Sequence, residues 1–282
     1  MSTPLDIDAL LAEVITLPSM PSTLARITEM IDKENASLAQ VARVISSDPA
    51  IAMKALRLVN SASYGLGQEI VSLDHAVVML GTRVIRNLVI TATVFETMKI
   101  GTEAFMRHSV CCGVAMKVLL KHGPLAGHLD SADEAFIMGL FHDVGKLIFA
   151  EFMGREQAEV EKLARAEQVP WFEAEKRVIG VDHAELGARL AAQWRLPQVF
   201  VQAIAGHHTL DQAAAHALPA AALAVADHLC NASGRVCHEL PQFAVPEEAW
   251  AMLGVEGEAV LRLCGKYFEA LPEVEEYLSF AE

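Results

Sequence analysis

The segment Phe136-Ile137-Met138-Gly139-Leu140-Phe141-His142-Asp143-Val144-Gly145-Lys146-Leu147-Ile148 constrains the fold of this chain more than any other. An apolar helical run ends in a histidine–aspartate doublet, followed by a glycine and a lysine. Side chains this polar are costly to bury in apolar surroundings unless something compensates them. A divalent metal is one such compensator, because neutral imidazole nitrogen and carboxylate oxygen both bind it well. Two ligands do not close a site, so further donors must come from elsewhere in the chain.

The rest of the sequence reads as helices. Hydrophobic residues make up 53% of the 282, aromatic residues only 6%, and the core is therefore built largely from Ala, Leu, Val and Ile. The expected class is all-α, and a chain of this length forms one large domain or two modest ones. A net charge of −14 argues against a broad phosphate-neutralising face, hence against nucleic acid as partner. The five cysteines (Cys111, Cys112, Cys230, Cys237, Cys264) form no CxxC pair and read as buried, reduced thiols. No signal pattern opens the chain, and no apolar run reaches about 18 residues without a charge or proline. A cytoplasmic protein without a membrane span is the expectation.

Residues 5–99 form a series of short helices. Leu17-Pro18-Ser19-Met20-Pro21 precedes residues 22–31, where Leu24, Ile27, Met30 and Ile31 make one apolar stripe. Ser37 with Gln40 is a capping-box pattern, and Asp48-Pro49 supplies an N-cap and a first-turn proline. Asn60-Ser61-Ala62-Ser63-Tyr64-Gly65 is a loop, and Gly81 divides helices at 72–80 and 82–98, the latter apolar at Val84, Ile85, Leu88, Val89, Ala92 and Phe95. Arg83, Arg86 and His75 read as solvated helix faces. Lys99-Ile100-Gly101-Thr102 is the candidate boundary.

Beyond it, a helix over 103–121 carries His108. Ser131 with Glu134 and Asp182 with Glu185 are capping-box patterns; the second puts His183 in the first turn of a helix. Gly145 serves either as an αL cap or as part of a helix that continues through it. Pro197 opens a helix running into Gly206-His207-His208, and Pro219 opens one carrying Asp227. Residues 236–282 form an acidic helical extension.

Polar residues inside otherwise apolar helices are His108, His142, Asp143, His183, His207, His208 and Asp227. A lone core histidine is ordinarily just hydrogen-bonded. Five histidines and two aspartates over successive helices point instead to a shared ligand, since converging imidazoles depress one another's proton affinity while a metal satisfies them together. Seven nitrogen and oxygen donors exceed what one tetrahedral zinc needs, which suits one six-coordinate ion or two ions about 3.5–4 Å apart. Asp143 is the natural bridge, and Lys146 is placed to neutralise a phosphate oxygen; these two are the candidate catalytic residues. Iron, manganese, zinc and nickel all suit such donors. The alternative is a hydrogen-bonded polar core without an ion.

The order His108, His142-Asp143, His183, His207-His208, Asp227 resembles that of two-metal members of the HD superfamily of phosphohydrolases. The H-D-V-G-K string is similar to the HD-GYP phosphodiesterases, but His207-His208-Thr209-Leu210-Asp211-Gln212 lacks their Glu-Arg and Gly-Tyr-Pro signature. Leu17 to Pro21, Ile45-Ser46-Ser47-Asp48-Pro49, Asn60 to Tyr64, Ala76-Val77-Val78-Met79-Leu80-Gly81, Phe141 to Lys146, Asp182-His183-Ala184-Glu185 and Trp194-Arg195-Leu196-Pro197 resemble the HDOD domain, over about residues 10–230. The resemblance implies a multi-helix fold with an N-terminal subdomain (5–99) and an HD-like subdomain (100–235). It also implies a bacterial signal-transduction output module acting through signalling protein partners, many members of which have lost the HD ligands. Retained ligands keep a second function open, a metal-dependent phosphohydrolase with a nucleotide or cyclic dinucleotide as ligand. Lys146, with Arg107 and Arg189 as helpers, is a thin phosphate-binding set for such an enzyme.

Overall fold

The computed structural model describes residues 22–32, 37–60, 70–98, 102–125, 127–234 and 247–279. The stretches 1–21, 61–65 and 99–101, together with Cys237, lie outside the described residues, as do the side chains of Leu24, Ile31, Arg83 and Phe95. No strand occurs among the described residues. Two compact units emerge: Pro18–Lys99 with Pro272–Glu282, and Ile100–Leu271.

In the first unit, α1 (Ser22–Asp32), α2 (Leu38–Ser46) and α3 (Pro49–Val59) pack on α4 (Leu73–Met98). Local chemistry sets their ends. Ser37 and Gln40 form a reciprocal capping box, and the Asp48 carboxylate accepts the Ile51 N–H at 3.2 Å ahead of Pro49. Gly81 adopts φ 80°, ψ 164° and breaks α4 where the sequence places a stop. Asn60 holds Ile70 by its backbone, accepting its N–H at 2.7 Å and donating to its carbonyl at 2.8 Å. Ile27, Val41, Ile45, Leu58, Val59, Ile85 and Val89 form the core.

The second unit runs α5 (Glu103–His122), α6 (Ala132–Phe141), α7 (Val144–Phe152), α8 (Gly154–Glu167), α9 (Trp171–Val178), α10 (His183–Gln193) and α11 (Gln198–Gly206). A 3₁₀ turn (Leu210–His216) leads into α12 (Ala217–Ala232), then α13 (Glu247–Leu253) and α14 (Glu258–Ala270); α15 (Pro272–Leu278) belongs with the first unit. The hub is α5, packed against α6, α12 and α14. Leu210–Ala232 has the length and mean hydropathy (1.3) of a membrane span. However, Ala214 bends it at φ 46°, and α12 packs on α5 and α11 as a core element.

Ser131 caps α6 through the Glu134 N–H, and the Glu134 carboxylate accepts from the Asp130 N–H at 2.9 Å. Gly145 lies inside the first turn of α7 and not in the αL region. Its lack of a side chain serves proximity: a Cβ there would lie 2.1 Å from the His183 carbonyl oxygen. Likewise a Cβ on Gly139 would lie 2.4 Å from the Cys112 carbonyl oxygen. Backbone contact at these points draws α6 onto α5 and α7 onto the start of α10.

Candidate metal centre

Each candidate donor arrives by a different route. His108 faces inward from α5, and His142-Asp143 form the turn between α6 and α7. Asp182 caps α10 by accepting the Glu185 N–H at 2.8 Å, which fixes His183 as its first helical residue. His207 and His208 follow the end of α11, and Asp227 projects from the middle of α12.

The structure brings all seven together as two groups joined at Asp143. One comprises His108, Cys112, His142 and Asp227; the other Asp143, His183, His207 and His208, with the donor atoms of each group within 4.8 Å of one another. Asp143 Oδ1 lies 3.1 Å from His183 Nε2 and 3.9 Å from His207 Nε2. Its Oδ2 turns the other way, 3.4 Å from His142 Nε2 and 3.6 Å from His108 Nε2. Asp227 Oδ1 approaches His108 Nε2 at 3.1 Å and His142 Nε2 at 3.8 Å. Lys146 Nζ donates to Asp143 Oδ2 at 2.6 Å.

The outer ring nitrogens set the inner ones. Nδ1–H of His142 donates to the Gly139 carbonyl at 2.7 Å, that of His207 to the Ile204 carbonyl at 2.6 Å, and that of His183 to Glu175 Oε2 at 2.6 Å. Each ring thus turns Nε2 inward, the arrangement by which an outer partner fixes a ligand's tautomer. Nε2 of His142 and of His207 are buried without a hydrogen-bond partner. His208 stacks on Phe172 with its Nε2 2.9 Å from that of His183.

Electrostatics follow from the crowding. Burial alone would lower the pKa of His142, but Asp143 and Asp227 outweigh it and raise the group to about 9. His183 also rises to about 9, burial and Lys146 being outweighed by Glu175 and Asp143. His207 falls to about 3 through burial and the neighbouring His142 and His183; burial and the same kind of neighbours lower His208. Burial opposes ionisation of Asp143 and Asp227, yet the surrounding cations and hydrogen bonds hold both well below the usual carboxylate range. Orphaned inward nitrogens beside ionised carboxylates make a donor set that fits a divalent cation.

Arg107 pairs with Glu103 (3.7 Å) and Arg189 with Glu185 (2.9 Å). His75, His122 and His128 are exposed. Two residues escaped the sequence reading. Cys112 is signalled only by its i, i+4 spacing from His108. Glu175, fully buried, accepts from the His183 N–H (2.9 Å) and Trp171 Nε1–H (2.9 Å) as well as from the imidazole, and nothing in the sequence marks it.

The HDOD domain model matches residues 17–210, and the chain belongs to the HDOD family. An uncharacterized protein of Treponema pallidum (strain Nichols) is 24% identical over 269 residues, 92% of this chain and 50% of the relative, so the chain spans half of that relative's length. Among solved structures, an HDOD domain protein of unknown function from Geobacter sulfurreducens aligns at TM-score 0.73 with 23% identity, covering 96% of both chains. A candidate phosphohydrolase from Shewanella amazonensis SB2B aligns at 0.74 with 24% identity, covering 97% of this chain and 98% of its own. At these identities the likeness establishes the all-helical fold.

Proposed function

We propose that this chain is a regulatory HDOD module that acts through contacts with signalling proteins in the bacterial cytoplasm and holds one or two divalent ions at its HD-type centre. The observation that carries this reading is closure. His108, His142, Asp143, His183 and His207 are no more than 2% exposed, and the side chains of Asp227 and Lys146 only 17% and 15%. Burial of this degree, with only His208, Asp227 and Lys146 part-exposed among these residues, suits an ion held for structure more than one that must take substrate into an open coordination position. Phosphate recognition is equally sparse, because Lys146 is already engaged by Asp143 and the two arginines by surface glutamates. When bound, an ion supplies the positive charge that the buried carboxylates and imidazoles call for. Contact with proteins is supported by Met53 and Val78, large apolar side chains exposed on the first unit.

A phosphohydrolase acting on a nucleotide is the second reading, favoured by one observation: Asp143 presents one oxygen to each donor group. A carboxylate so placed could hold an ion with each oxygen, and such ions would polarise a phosphoryl group. Metal analysis of the purified chain, then hydrolysis assays with Mn²⁺ or Fe²⁺ over nucleotides and cyclic dinucleotides, separates the two. Stoichiometric metal without turnover is expected. Hydrolysis that Asp143→Ala abolishes would reverse the order, and a protein that takes up no metal would discard the hydrolase and the metal centre, leaving a module that acts through protein contacts.

A further inference from the structure

We propose that Cys112 is a thiolate donor to the half of the centre formed by His108, His142 and Asp227, making the two halves chemically unequal. This rests on the metal-centre reading above and adds a soft ligand to one side of it. The bland alternative is a thiol packed as a small hydrophobe, and Cys112 is fully buried.

Three observations favour the ligand. The first is direction. His108 and Cys112 stand one turn apart on the same face of α5, and Cys112 Sγ lies 3.6 Å from His108 Nε2, beside the unpartnered Nε2 of His142. The second is spacing. Bonds of about 2.3 Å to sulfur and about 2.0–2.1 Å to nitrogen or oxygen give tetrahedral edges of roughly 3.6 Å (S to N) and roughly 3.4 Å (N to O). The S to N separation is 3.6 Å, and the two imidazole-to-Asp227 separations, 3.1 and 3.8 Å, straddle the second value.

The third is placement. The Cys112 backbone is held, since Gly139 meets α5 at its carbonyl. The Tyr267 hydroxyl on α14 donates to Cys230 Sγ at 3.5 Å, so the donors behind the site end on Cys230 and leave the Cys112 sulfur to the His108 side. Burial raises the pKa of the Cys112 thiol, so an ion would itself have to displace its proton.

Ligation exchanges the Sγ–H bond for a sulfur–metal bond and releases one proton to solvent. The thiolate half then favours soft or borderline ions such as zinc, and the Asp143–His183–His207–His208 half suits manganese or iron. Cobalt(II) loading of the full chain reads this directly. A near-ultraviolet sulfur-to-cobalt charge-transfer band is expected, lost in Cys112→Ser while the visible cobalt bands persist, and kept in Cys264→Ser. Should Cys112→Ser fail to fold, zinc-edge X-ray absorption of the wild-type chain must still show a sulfur neighbour at about 2.3 Å. Bound metal without a sulfur neighbour, or a band indifferent to Cys112→Ser, overturns the thiolate and leaves the metal centre standing. Failure to bind any metal overturns both.

Discussion

Replacing Gly145 by alanine tests how the site is assembled. The new Cβ would sit 2.1 Å from the His183 carbonyl oxygen and 2.9 Å from its Cα, whereas real Cβ atoms essentially never approach anything within 3.0 Å. Relief therefore needs a displacement of about 0.9 Å, the difference between those separations, and backbone stands on both sides, with no flexible side chain to yield. Overpacking of this kind costs about 1–3 kcal/mol, and the upper end applies here. At roughly 2–4 °C per kcal/mol for a unit of this size, the melting temperature should fall by about 6–12 °C. Measured in chelator, that drop reports packing alone.

The same displacement moves His183, whose Nε2 lies 3.1 Å from Asp143 Oδ1. Metal–ligand distances tolerate only about 0.2 Å, so Gly145→Ala should also lower metal content, with the Asp143–His183–His207–His208 group losing its ion first. Gly265→Ala is the control, because nothing lies within 4 Å of a Cβ at that helical position; it should be neutral or slightly stabilising. A Gly145→Ala protein with wild-type melting temperature and metal content would refute the close-approach reasoning.

Chelation should lower the melting temperature of the purified protein, and restoring Mn²⁺ or Zn²⁺ should raise it again, through a stabilisation of about 2.7 kcal/mol at a free concentration a hundredfold above Kd; an unchanged transition would return the cluster to an ion-free polar core. Glu175→Ala strands the His183 imidazole and the Trp171 indole, so it should cost about 2–5 kcal/mol by denaturant unfolding and weaken metal binding by about 10–100-fold in competition titrations. Metal affinity should tighten as pH rises toward 9, because His142 and His183 hold protons up to about that value; two displaced protons allow up to about a hundredfold per pH unit, read by isothermal titration at pH 6.5–8.5. In the metal-free protein those two groups, raised above 6.5 by folding, contribute their full stabilisation below pH 6.5 and lose it as pH climbs through 9. Its melting temperature should therefore decline over that window while the loaded protein's does not.

What could be read in the sequence was local or periodic. Ser37, Asp48, Ser131 and Asp182 cap helices because their side chains reach N–H groups three residues on, and such chemistry needs no tertiary context. Histidines and aspartates in apolar helices are likewise visible as a cost seeking compensation. Direction was not visible. Cys112 reads as a buried thiol, which it is, and its spacing puts it beside His108, but only the packing of α12 on α5 brings Asp227 to the pair. Glu175 sits in a helix that also carries Glu173, Lys176 and Arg177, so its burial depends on where α9 lands. Gly145 looks like a cap because glycine is common there; its real constraint is a contact 38 residues away in sequence, at His183. The turn at Leu210–His216 depends on Ala214 at φ 46°, a conformation alanine does not advertise.

Charge balance explains why so many ionisable groups can share this interior. The carboxylates of Asp143, Asp227 and Glu175 face the Lys146 ammonium and the protonated His142 and His183, so three negative charges meet three positive ones. Unpaired, each buried charge would cost several kcal/mol; balanced, the set is tolerable, with two protons standing where a cation would. Those protons sit one in each half, on His142 and on His183, so an ion entering either half would displace one of them and leave one further positive charge to be met. His207 and His208 are already neutral and have no proton to give. In the half that holds His142, the thiolate proposed for Cys112 would meet that charge, and the other half has no cysteine in its donor group. The two halves therefore differ in how an ion's charge would be balanced.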